Sequence, residues 1–91
     1  MISKFNPMSV EQCRGARAML GWSQNQLAEA AGVSRATVVD FERGLRIPHR
    51  NNLTAIQQSL ETAGIEFISE NGGGPGVRFS RRIDDPKMEV R

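Results

Sequence analysis

The sequence predicts a mainly α-helical domain of four to five helices followed by a short C-terminal β-hairpin. Three observations lead there. Apolar residues recur at helical spacing in four segments between residues 10 and 64. Serine–glutamine capping pairs stand ahead of two of those segments, and glycines stand behind them. After Ile65 the apolar period changes from helical to two.

The elements follow in order. Ser9 and Gln12 have the spacing of a capping box, with Met8 and Cys13 at the positions of a hydrophobic staple. Val10, Cys13, Ala16 or Arg17, and Leu20 then mark a helix over about 10–20, stopped by Gly21. Trp22 leads into a second capping pair, Ser23 and Gln26. Leu27, Ala28, Ala30 and Ala31 make a short helix whose small side chains let another helix approach, and Gly32 ends it. Ser34 suits the N-cap of a third helix running from Arg35 to Arg43, closed by Gly44. Val38 and Phe41, three apart, point together into the core, while Arg35, Ala36, Val39 and Arg43 fall on other faces. Ile47-Pro48 breaks the chain. Asn51 or Asn52 caps a fourth helix with the stripe Leu53, Ile56, Leu60, ended at Ala63-Gly64. Ile65 and Phe67 then alternate with Glu66 and Ile68, and Val77 and Phe79 with Arg78 and Ser80, around the turn-rich run 71–76. The expected organisation is an arm at 1–8, a helical domain at 9–64, a hairpin at 65–80 and a tail at 81–91.

Composition narrows the function classes. In 91 residues there are 12 cationic and 10 acidic side chains, a net charge of +2, which alone separates nothing. Ten of the twelve cations are arginine, however, the side chain suited to bidentate phosphate and base contacts. The lone Cys13 forms no internal disulfide and reads as a small core residue. No apolar run approaches the roughly 18 residues of a membrane span, and no signal-peptide pattern opens the chain, so a cytoplasmic protein without membrane association is expected.

Catalysis and metal binding find little support. His49 is the only histidine and sits beside Pro48, far in sequence from Cys13. One histidine and one cysteine do not make a four-ligand zinc site. The run 72–76 lacks the following Lys-Ser/Thr of a phosphate-binding loop and precedes a strand, so a hairpin turn accounts for it. Neither an enzymatic activity nor a cofactor is expected.

The informative stretch is central: two short helices joined at Gly32-Val33, the arrangement of a helix-turn-helix. Ser23-Gln24, Leu27-Ala28, Gly32-Val33-Ser34, Val38, Phe41-Glu42, Gly44 and Pro48 stand in the order and spacing of the lambda repressor/Cro-like family, also called the XRE family. The chain resembles that family over about residues 10–64. The resemblance implies a DNA-binding domain whose second motif helix enters the major groove while the first crosses the backbone. Carried onto this sequence, it implies an interface of Ser23, Gln24, Ser34, Arg35, Ala36, Thr37, Val39, Asp40, Arg43, Arg46 and Arg50. Gln24 matches the family's phosphate-bonding position at a helix start. Arg35 and Ala36 match its first base-contacting positions: Arg35 suits guanine, and Ala36 or Val39 a thymine methyl. Thr37 suits a phosphate or base. Asp40 suits cytosine, or else braces Arg35 or Arg43. Arg43, Arg46 and Arg50 suit backbone anchoring. Glu42 is expected to pair internally, with Arg14 or Arg17, and Trp22 to lie in the core.

The expected function is sequence-specific regulation of transcription on double-stranded DNA, by a repressor acting as a homodimer on an inverted repeat. The rival expectation is an antitoxin-like or anti-activator module that grips a small protein partner through the hairpin, whose strand edge a second chain could extend.

Overall fold

The computed structural model describes residues 7–81. Apart from Pro7 and Met8, the expected arm lies outside the described residues, as does the expected tail beyond Arg81. The elements are α1 (Val10–Leu20), α2 (Gln24–Ala31), α3 (Arg35–Glu42), α4 (Arg50–Thr62), β1 (Ile65–Ile68) and β2 (Gly76–Phe79). Four helices and one antiparallel hairpin agree with the fold the sequence predicts.

Local chemistry sets the helix boundaries. Both capping boxes form: the Gln12 and Gln26 amides donate to the Ser9 and Ser23 hydroxyls, and their side-chain oxygens accept from the serine amides in return. Gly21 and Gly32 close α1 and α2 at φ 70° and 71°, in the left-handed region that favours glycine. Ser34 caps α3 by accepting from the Thr37 amide. The start of α4 differs from expectation. Its N-cap is His49, which makes no side-chain cap, and Asn51 and Asn52 lie inside the first turn. The His49 carbonyl accepts the Leu53 amide at 2.8 Å, so the helical hydrogen bonds begin two residues ahead of Asn51.

One core joins all the elements. Cys13 and Ala16 from α1, Leu27 and Ala28 from α2, Val38 and Phe41 from α3, and Leu53, Ile56 and Leu60 from α4 are buried together with Met8 and Ile65. Thus Ala16, rather than Arg17, completes the apolar stripe of α1. Ala30 is exposed and Ala31 half-buried, so of the small residues in α2 it is Ala28 that faces the core. Trp22 is half-buried at the edge of that core. The hairpin is part of the same core: Phe67, Val77 and Phe79 pack against it, with Ile65 opposite Phe79 and Phe67 opposite Val77. Glu66 and Arg78 pair on the outer face, their ion pair 2.9 Å long.

Gln12 fastens the hairpin to α1. Its Nε2 donates to the carbonyls of Ile68 and Gly76, at 3.2 and 2.9 Å, while its Oε1 closes the capping box. A buried side-chain amide is thereby used at both ends. Gly15 lies where α1 meets β2, and an added Cβ would stand 3.4 Å from a methyl of Val77, about ordinary van der Waals contact.

Candidate nucleic-acid interface

The turn between α2 and α3 is only three residues, Gly32-Val33-Ser34, and it sets the two helices at a fixed angle about a shared core. The Val33 amide bonds back to the Ala28 carbonyl at 3.0 Å. Val38 and Phe41 are inward, so the rest of α3 is offered outward. Ser34, Arg35 and Ala36 are exposed, and Thr37 and Asp40 half-buried. The Ser34 and Thr37 hydroxyls lie 2.8 Å apart. Val39 is also half-buried, which leaves only part of its side chain for contact with a thymine methyl.

Two clefts flank α3. The first, about 520 Å³, gathers Ser34, Ala36, Thr37 and Asp40 with Arg46 and the start of α4 at His49 and Asn52. The loop on its rim carries two exposed apolar side chains, Leu45 at 64% and Ile47 at 81% exposure. Asp40 forms no ion pair with Arg35 or Arg43 among the described residues, so the expected brace is absent. Its carbonyl instead accepts the amides of Leu45 and Arg46, which turns the chain after α3.

The second cleft, about 430 Å³, lies at the other end of α3 and is lined by Arg14, Arg17, Gln24, Glu42 and Arg43. Glu42 is its organising residue, 5% exposed. Its Oε1 accepts from Arg17 Nη2 at 2.9 Å and from Gln24 Nε2 at 3.1 Å, and its Oε2 from Arg17 Nε at 2.9 Å and the Cys13 thiol at 3.4 Å. Arg17 Nη1 also donates to the Trp22 carbonyl at 2.9 Å. One carboxylate thus ties α1, α2 and α3 together. Burial pushes the Glu42 carboxyl up, but hydrogen bonds from Arg17, Gln24 and Cys13, with the Arg17 charge, outweigh it and leave it below its ordinary value. Its hydrogen bond in turn raises Arg17. Burial, and then the neighbouring Glu42 charge, push the Cys13 thiol far above its usual range, which suits a core residue and not a nucleophile.

Of the sequence-predicted site residues, Ser34, Ala36, Thr37, Asp40 and Arg46 line the first cleft, and Gln24 and Arg43 the second. Ser23, Arg35, Val39 and Arg50 line neither. Ser23 and Arg35 are exposed at the starts of α2 and α3, and Arg50 opens α4. The Gln24 side chain, expected at a phosphate, has one amide proton on Glu42 and a second not used in that bond. Of the two proposed partners of Glu42, the structure selects Arg17 and leaves Arg14 exposed beside it. Arg14 lines the second cleft and was not among the sequence-predicted site residues. The three-residue spacing of Arg14 and Arg17, which sets them on one helix face, was the available signal.

Among the described residues there is no group of His, Cys, Asp and Glu able to hold a metal, and no helix long and apolar enough to cross a membrane. A short-turn helix pair on a common core, with a cationic cleft at one end of its second helix, defines a DNA-binding helix-turn-helix protein. The helix-turn-helix family model matches residues 14–66, more than half of the chain, and the protein belongs to this lambda repressor/Cro-like family of DNA-binding regulators. No curated protein matches the chain.

Proposed function

We propose that the protein is a sequence-specific repressor that binds an inverted repeat in double-stranded DNA as a homodimer. The observation that carries this reading is the first turn of α3. Arg35 is exposed there, has no ion pair among the described residues, and stands at a helix start where a cation opposes the helix dipole. No acidic residue in that turn compensates it. A base edge in the major groove, or a phosphate of the flanking backbone, supplies the missing partner. Ala36, beside it, is small and exposed, which suits a thymine methyl. Ser34 and Thr37 present hydroxyls on the same turn.

Dimerisation follows from reading length. One eight-residue helix spans only a few base pairs, so a discriminating site needs two copies on half-sites about one helical turn, 34–36 Å, apart. In this reading residues 9–64 bind DNA in the cytoplasm and the hairpin 65–80 holds the second copy. Occupying an operator is enough to repress, and needs no further surface.

The test is selection of bound sequences from a random duplex pool by the purified protein at roughly physiological salt, where nonspecific binding is weak. An enriched inverted repeat supports the reading, and its spacing reports the dimer geometry. A pool without enrichment overturns it.

One observation favours a second reading. The hairpin is a two-stranded sheet, so each strand is an edge among the described residues. Such an edge can be extended by a different protein, as in an antitoxin or anti-activator. Purification of the chain in fixed ratio with a small companion of another fold supports that reading; purification alone as a DNA-binding dimer rejects it.

A further inference from the structure

We propose that Leu45 and Ile47, in the loop between α3 and α4, meet the same loop of a second copy of this chain on the adjoining half-site, and that this contact forms only on DNA. The proposal rests on the DNA-binding reading above. It is separate from the hairpin and adds a second meeting point between copies.

Burial gives the first reason. Leu45 and Ile47 are the exposed large hydrophobics among the described residues. Single apolar side chains on a surface are ordinary, but two in one short loop make a patch. The loop is fixed at both ends. The Leu45 and Arg46 amides donate to the Asp40 carbonyl at 2.9 and 3.4 Å, and Pro48 with the start of α4 follows Ile47. The fold therefore holds both side chains out in water.

Position identifies the occupant. Ile47 lines the cleft beside α3 with Ala36, Thr37 and Asp40, so the loop is continuous with the helix that this family presents to DNA. Whatever covers the patch does so beside a bound duplex. The phosphates that border the groove offer an isoleucine no apolar partner. A second copy on the neighbouring half-site brings an identical apolar loop.

Charge and area make the contact depend on DNA. Arg43, Arg46 and Arg50 flank the patch, against one carboxylate in the same cleft, Asp40. Two free copies thus repel each other through this face, and backbone phosphates relieve the repulsion. A stable interface in solution buries about 1,200–2,000 Å². Four aliphatic side chains, two from each copy, fall far short of that.

The experiment uses duplexes carrying one or two of the half-sites enriched from the random pool. It compares the full chain with Ile47→Ser, Leu45→Ser and Ile47→Val, recording the melting temperature of each. The ratio of affinities, two half-sites over one, isolates the contact between copies. Ile47→Ser is expected to lower that ratio about tenfold, the worth of a partly buried aliphatic side chain. Single-half-site affinity and melting temperature stay at wild-type values, and Ile47→Val keeps most of the ratio. Equal losses on both duplexes mean that the loop touches DNA itself, and overturn the proposal. An unchanged ratio in both serine variants also overturns it and leaves the DNA-binding reading standing. A wild type that enriches no sequence overturns both. Crosslinking identifies the partner. Cys13 is fully buried, so in Ile47→Cys the introduced thiol is the one a short bismaleimide reaches. A chain-to-chain adduct on the two-half-site duplex, and none on the single half-site, supports the proposal. An adduct absent from both, or formed equally without DNA, overturns it.

Discussion

Glu42 and Arg17 form a bidentate ion pair that joins the last residue of α3 to the last turn of α1, with N–O distances of 2.9 Å on both carboxylate oxygens. Its neighbours make it more than a pair. Gln24 brings in α2, and Cys13 brings in the apolar core. The orientation of α3 relative to α2, which decides how a helix pair meets DNA, is thus held from below by packing of Val38 and Phe41 and at its end by one carboxylate.

Removing that carboxylate's charge should be costly. Glu42→Gln leaves Arg17 partly buried without its counter-charge and breaks the parallel fork. Loss of one partner of a buried pair typically costs about 3–5 kcal/mol. Arg17 retains some solvent contact, so the lower end, about 3 kcal/mol, is expected. Urea denaturation should register it as a lower midpoint at unchanged slope. A loss below about 1 kcal/mol would mean that the pair is no more than a surface salt bridge.

The same carboxylate gives stability a pH dependence of known sign. Its pKa in the folded chain lies below the ordinary glutamate value of 4.5, so the folded state favours the ionised form. The contribution is complete well above pH 4.5 and fades as pH falls through 4.5 and then through the folded value. Denaturation midpoints measured between neutral pH and about pH 3 should fall more steeply for the wild type than for Glu42→Gln, and the gap between the two should narrow toward acid. Parallel curves would show that Glu42 is not the group responsible.

Gln12 offers a third test, because its one side chain serves a cap and a tertiary clamp. Gln12→Ala loses the reciprocal cap bond and the two bonds that its Nε2 donates to the carbonyls of Ile68 and Gly76. The expected cost is about 2–3 kcal/mol. Hydrogen exchange should place the largest loss of protection in β1 and β2, with α2 and α3 less affected. Uniform loss across the chain would instead mean that the hairpin and helices unfold as one unit.

Much of this was legible from local chemistry. Ser9–Gln12 and Ser23–Gln26 are each contained within four residues, so their cap bonds and helix starts could be read directly. The Gly32 turn and the stripe Leu53, Ile56, Leu60 were equally plain, as was the inward set Ile65, Phe67, Val77 and Phe79. Long-range choices were not. The Gln12 side chain reaches 56 and 64 residues along the chain, and no local pattern encodes that. The choice of Arg17 over Arg14 for Glu42 depends on the angle at which α1 crosses α3, to which spacing is blind. The start of α4 fell at His49 and not at Asn51 or Asn52, since a capping preference worth only about 1 kcal/mol does not fix a helix boundary.

Gly32 gives a test free of packing effects. It sits at φ 71°, and a Cβ added there would meet nothing within 4 Å. Gly32→Ala therefore pays only for the left-handed backbone, about 1–2 kcal/mol. Thermal unfolding should show a fall of several degrees, about 4–8 °C for each kcal/mol in a domain of this size. An unchanged melting temperature would indicate that the turn relaxes out of the left-handed region when the glycine is replaced.

Arg35 and Arg43 separate base reading from backbone anchoring. Arg35 is exposed at the first position of α3, where a major-groove helix presents side chains to base edges. Arg43 stands at the opposite end of α3, in the cationic cleft with Gln24. Arg35→Ala should cost about 1–3 kcal/mol per half-site on the selected sequence, relax preference at one base pair, and change random-duplex affinity little. Arg43→Ala should weaken selected and random duplex alike and lower the salt slope by about one unit. Competition binding with the selected site and a scrambled duplex, repeated at two salt concentrations, reads both quantities from one set of titrations. Equal losses on both duplexes for Arg35→Ala would move that residue from the bases to the backbone. A loss confined to the selected site for Arg43→Ala would move the reading surface toward the C-terminal end of α3.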